Sequence, residues 1–123
     1  MIPPEVAQLQ EVLNQRDTAL SAKITDIESA LGRAFRVRIA TTIDARTQLA
    51  FGKCDNRWCL YVEDTIDGKL TPLLSCPRHE RIDAIAWIAQ LIAGAATELE
   101  RLIDERDTAI AAAAEILRGL EGT

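Results

Sequence analysis

The sequence predicts an α+β fold in the order αββββα. A long N-terminal helix leads into a four-stranded antiparallel meander, a long C-terminal helix follows, and both helices pack on one sheet face. Two observations predict it. Apolar residues recur three and four apart at both ends of the chain, and they alternate with polar residues between about residues 34 and 74. Turn and cap residues stand where the rhythm changes: Gly32, Asp55-Asn56, Gly68 and Pro77.

The first helix is expected over residues 4–31. Pro3 and Pro4 suit its opening turn, Val6, Leu9, Leu13, Leu20, Ile24, Ile27 and Leu31 form its apolar stripe, and Gly32 is a natural C-cap. The sheet is expected over residues 34–74. Phe35, Val37 and Ile39 alternate with Arg36, Arg38 and Ala40, and Leu49, Phe51, Trp58, Leu60 and Val62 continue the pattern. Asp55-Asn56 makes a two-residue hairpin loop, because Asp and Asn tolerate positive φ. That loop sets Cys54 opposite Arg57, Phe51 opposite Leu60 and Leu49 opposite Val62, so the apolar residues share one face. The turn ending at Gly68 leads to a short last strand from Lys69 to Leu74. Pro72 makes it an edge strand, since proline has no N–H for a ladder.

The second helix is expected over residues 76–120, with Ser75 or Cys76 as N-cap and Pro77 in its first turn. Ile82, Ile85, Ala89, Ile92, Ala96, Leu99, Ile103, Ile110, Ala113, Leu117 and Leu120 mark a heptad seam. Unbroken, this helix is about 65 Å long at 1.5 Å per residue, and the first about 42 Å. Short strands cannot cover such a length, so a second copy of the chain is expected against the far half. A break near Gly94 is the alternative.

Each helix carries an arginine in its seam, Arg16 and Arg106, inside nearly the same phrase: QRDTAL from Gln15 and ERDTAI from Glu105. The seams align as well, Leu9 with Leu99, Leu13 with Ile103 and Leu20 with Ile110, which points to shared geometry. A buried arginine without a partner is costly. Each is expected at the seam's edge with a wet head, or paired with a carboxylate such as Asp104 or Glu105 from another helix.

The chain has 123 residues, 48% of them hydrophobic and 27% charged, which fits one domain able to bury a core unaided. Residues 1–32 carry 2 basic and 5 acidic side chains, or −3; residues 33–75 carry 7 and 5, or +2; residues 76–123 carry 5 and 9, or −4. The total of −5 argues against a sequence-blind nucleic-acid binder. The opening residues lack a basic segment followed by an unbroken apolar stretch, and no apolar run approaches the roughly 18 residues of a membrane span. A cytoplasmic location is expected, with three free thiols.

Three readings of function follow. In the first the chain is a non-catalytic, homodimeric interaction module acting by binding or occluding a macromolecule, as an adaptor or a small inhibitor of the mobile-element type. The outer sheet face is then its contact surface, presenting Arg36, Arg38, Gln48, Ala50, Gly52, Cys59 and Tyr61. Arg36, Arg38, Gln48 and Tyr61 are the candidate partner-binding residues, because arginine and tyrosine are enriched where partners bind. No cofactor is expected in this reading. In the second, Cys54, Cys59, Cys76 and His79 form a zinc site, the inventory matching a Cys3His set, with Cys54 and Cys59 diagonal across the hairpin. In the third the chain is a small enzyme of unknown reaction. A single histidine, no glycine-rich phosphate loop and no nucleophile turn speak against that.

Overall fold

The computed structural model describes residues 1–122. Helix α1 spans Pro4–Ala34, strands β1 to β4 span Ile39–Thr42, Thr47–Cys54, Arg57–Asp64 and Leu70–Pro72, and helix α2 spans Arg78–Glu121. A short 3-10 turn, Leu73–Ser75, joins β4 to α2. The strands form one antiparallel sheet in the order β1-β2-β3-β4, so the αββββα architecture is as the sequence predicts. Its contacts fall into two compact units, Met1–Leu91 and Ile92–Thr123.

The central hairpin has the expected register, with Leu49 opposite Val62, Phe51 opposite Leu60 and Cys54 opposite Arg57. Asp55 and Asn56 adopt φ of 55° and 64°, the left-handed values that bring a two-residue loop into line with strand twist. Gly68 takes φ 75° in the β3–β4 turn. The sheet starts later than the alternation suggests. α1 runs on to Ala34, so residues 35–38 carry the chain from the helix layer to the sheet, and pairing begins at Ile39 opposite Phe51. Phe35 and Val37 are therefore half-buried residues of a connection, not strand residues.

The core of the first unit lies between the sheet and the helices. Ile24 and Leu31 from α1, Ile39, Leu49, Phe51 and Leu60 from the sheet, and Ala84, Ile88 and Leu91 from α2 are all buried. Trp58 faces this layer, half-buried and stacked on Phe51 with ring centres 5.7 Å apart. Asp17 on α1 and Arg78 at the start of α2 are joined at 2.8 Å, and Gln90 of α2 donates to Thr41 Oγ1 at 2.7 Å.

Glu28 of α1 is buried and accepts a 2.6 Å hydrogen bond from the Leu60 backbone N–H. The reason lies in the sheet. Tyr61 pairs with Pro72, where β4 ends, so Leu60 faces the β4 side just past the last available strand carbonyl. A helix carboxylate supplies the missing acceptor. Burial pushes the Glu28 carboxyl above its ordinary range, against the lowering effects of the Leu60 bond and of nearby Arg57.

α2 buries a different stripe from the heptad seam. Ala84, Ile88 and Leu91 face the sheet, whereas the seam residues Ile82, Ile85 and Ile92 are 58%, 41% and 48% exposed. In the second unit, which begins at Ile92, the seam residues Ile103, Ile110, Leu117 and Leu120 are exposed as well. The helix persists through Gly94 without a break. On α1 the expected stripe is buried only in its second half: Ile24 and Leu31 are inside, while Val6, Leu9 and Leu13 are exposed.

Candidate functional site

The outer sheet face is built by the residues pointing away from the helices. Three of the four candidate partner-binding residues meet there. Arg38 donates from Nε to the Tyr61 hydroxyl at 3.0 Å, and its terminal nitrogen donates to Gln48 Oε1 at 3.3 Å and to Glu63 Oε2 at 3.1 Å. The fourth, Arg36, is exposed in the connection before β1. The face is not open at its centre as the sequence suggests. Ala50, Cys59 and Tyr61 are buried there as a small second core, with Cys54 packed against it. Gly52 explains how Arg38 comes to lie against Tyr61. A Cβ on Gly52 would stand 3.3 Å from Arg38 Cγ and 3.2 Å from the Tyr61 oxygen, so the absence of a side chain makes room for the arginine stem. Much of the hydrogen-bonding capacity that a partner could have used is thus turned inward.

The cysteines divide into two places. Cys54 and Cys59 are diagonal neighbours on the hairpin, as expected, while Cys76 lies beside Glu80 and Arg81 at the start of α2. Burial pushes the Cys59 and Cys76 thiols up to about 11 each. His79 is exposed. Among the described residues no group of three or more histidine, cysteine or carboxylate side chains is placed to hold a metal ion, so the four candidate ligands are not gathered into one set. All three cysteines are free thiols.

A half-open cavity of about 450 Å³ lies between the sheet and the first turns of α2, lined by Val62, Asp64, Lys69, Cys76, Glu80 and Trp87 among others. Its carboxylates serve the turns. Asp44 accepts from the N–H groups of Arg46 and Thr47, bonds that hold its carboxyl below the ordinary range. The Arg46 guanidinium, 2.7 Å from Asp64, does the same for that residue. The cavity belongs to the architecture of the sheet end: Arg46 ties the β1–β2 turn to the β3–β4 turn, and the Thr65 N–H adds a 2.7 Å bond to the Arg46 carbonyl.

The seam arginines are both exposed. Arg106 donates to the Leu102 carbonyl one turn back on its own helix, at 3.1 Å, the wet-headed arrangement. Asp17, next to Arg16, is engaged by Arg78. Among the described residues α2 is the one helix long and apolar enough, by length and composition, to cross a membrane; 22% of its most apolar 18-residue window is buried. The sequence expectation saw no such span, because charged residues interrupt every apolar run; an averaged window tolerates them. Comparison with protein-family models, with curated proteins and with solved structures finds no match to this chain.

Proposed function

We propose that this chain is a non-catalytic protein-interaction module that works as a homodimer and binds or occludes a macromolecular partner. The observation that carries the reading is the exposed heptad seam of α2. In the second unit Ile92, Ile103, Ile110, Leu117 and Leu120 are exposed members of a three-four series that Ala96, Leu99, Arg106 and Ala113 complete. Isolated apolar residues on a surface are ordinary, but a continuous stripe over six turns or more marks an association surface. Heptad spacing is the geometry by which one helix receives another. Arg36, exposed in the connection before β1, is the positive group offered to a third component, and the acidic helix ends keep the dimer soluble.

Light scattering across a range of concentrations tests the dimer. The expected mass is twice the 13.5 kDa of one chain. A single-chain mass at every concentration overturns the reading. Ile110→Glu places a charge in the seam at a residue 65% exposed in the single chain, so it should split the dimer and leave the fold intact.

A further inference from the structure

We infer that residues 96–120 of α2 pair antiparallel with the same residues of a second copy, about a twofold axis at Thr108. This rests on the homodimer reading and specifies its geometry. The seam alternates two heptad positions, Ala96, Ile103, Ile110 and Leu117 at one and Leu99, Arg106, Ala113 and Leu120 at the other. In a parallel, in-register pair each layer matches a residue with itself. Ala96 then meets Ala96, Ile103 meets Ile103, and two Arg106 guanidiniums share one apolar layer. Small layers next to large ones leave gaps, and the arginine layer is repulsive.

Turned antiparallel about Thr108, the same residues complement one another. Ala96 faces Leu120, Leu99 faces Leu117, Ile103 faces Ala113, and each Arg106 faces an Ile110. Both alanines meet a large side chain, and the guanidiniums fall in separate layers. Sliding the pair one heptad toward the sheet sets Ala96 against Ala113 and loses that fit.

Charge supports the same axis. Asp107 flanks the seam beside Arg106; about this axis the two Asp107 carboxylates stand nearly level, and each lies within about one helical turn of the other copy's Arg106, so the two guanidiniums offset their repulsion. In the single chain Arg106 is exposed and, among the described residues, donates to its own Leu102 carbonyl. The matching phrase on α1 is a poorer occupant, because Asp17 is already held by Arg78 at 2.8 Å. A lipid surface is a poorer one too: Glu100, Asp104, Arg106, Asp107 and Glu115 lie within this stretch.

Spin labels carried on a ketone side chain, introduced singly at Thr108 or at Gly94 of the full chain, test it while leaving the native cysteines in place. Both sites are exposed, both lie on the helix face opposite the seam, and no other residue crowds Gly94. In the antiparallel pair the two Thr108 labels stand at one height, and the two Gly94 labels are about 42 Å apart along the axis at 1.5 Å per residue. The expected result is a Gly94 distance longer than the Thr108 distance by at least about 20 Å. Equal distances at the two sites in a protein of doubled mass overturn the antiparallel geometry and leave the homodimer standing. A single-chain mass with no dipolar coupling overturns both, as does flotation of the protein with vesicles of phosphatidylcholine and phosphatidylglycerol in place of dimerisation.

Discussion

Replacing Glu28 separates the role of its shape from the role of its charge. Glu28→Ala removes the acceptor for the Leu60 N–H and leaves a buried donor unpaired, a loss of about 1–3 kcal/mol. The lost burial of its one extra methylene adds about 0.8 kcal/mol. The total of about 2–4 kcal/mol corresponds to a fall in Tm of roughly 6–15 °C for a chain of this length. Glu28→Gln keeps an oxygen facing Leu60 and carries no charge. It loses the stronger, charge-assisted bond but also the cost of burying an ion, so it should lie within about 1 kcal/mol of the parent at pH 7. The pH dependence has a definite sign. Burial raises the folded-state pKa of Glu28, so the folded protein holds that proton to higher pH than the unfolded chain does. Its contribution is complete below the unfolded value of 4.5 and is lost as pH rises through the folded pKa. Subtracting the Glu28→Gln stability profile from the parent's should expose that falling slope. Chemical denaturation at one fixed protein concentration, repeated from pH 4 to pH 8, reads all of this. Equal losses for the Ala and Gln variants, or a difference profile that rises with pH, would refute the account of Glu28 as a buried acceptor.

Other outcomes follow from the same geometry. Arg38→Ala should cost about 1–2 kcal/mol, by opening the bonds to Tyr61, Gln48 and Glu63, and should speed the reaction of Cys59 with a disulfide reagent; an unchanged Cys59 rate would mean that the arginine does not cover the small core. At pH 8 the parent should show one fast thiol, Cys54, and two slow ones, because Cys59 and Cys76 are buried and pushed up to about 11; three equally fast thiols would contradict that burial. Arg106→Leu should strengthen the dimer, read as a lower dissociation concentration in sedimentation, and broaden the distance distribution of the Gly94 labels, because the parallel arrangement loses its repulsive layer. Gly52→Ala should destabilise by about 1 kcal/mol, since its new Cβ must push back the Arg38 stem and the Tyr61 hydroxyl.

The hairpin was legible in the sequence for a local reason. A two-residue loop at Asp55-Asn56 determines every pairing from Cys54–Arg57 to Thr47–Asp64, and the faces follow by alternation. The start of the sheet was not, because Phe35 and Val37 keep the period of a strand while the length of α1 decides where pairing can begin. The closure of the outer face was equally hidden. Arg38 and Tyr61 are 23 positions apart, and what brings them together is a glycine across the sheet, whose importance appears only once its neighbours are known. Glu28 had no signal beyond its place on the α1 stripe next to Ile27. Its partner is a backbone N–H left over where β4 ends and the chain enters the turn Leu73–Ser75, so the clue lay in the shortness of the last strand and not in the glutamate.

α2 shows what periodicity can and cannot assign. It carries two apolar stripes, one through Ala84, Ile88 and Leu91, the other through Ile82, Ile85, Ala89 and Ile92. Both have three-four spacing, the second runs further along the helix, and it is the first that the sheet buries. A sheet surface receives small residues closely, and Ala84 lets the helix approach, whereas a heptad stripe is shaped for the grooves of another helix. The buried stripe runs on to Ala95 and then gives way to Glu98 and Glu105, with Leu102 half-buried between them, while the heptad stripe continues to Leu120. A helix that needed only the sheet would have turned polar on every face at that point. The persistence of the second stripe to Leu120, interrupted only by an arginine with its own aspartate beside it, is the feature of this chain that calls for a second helix.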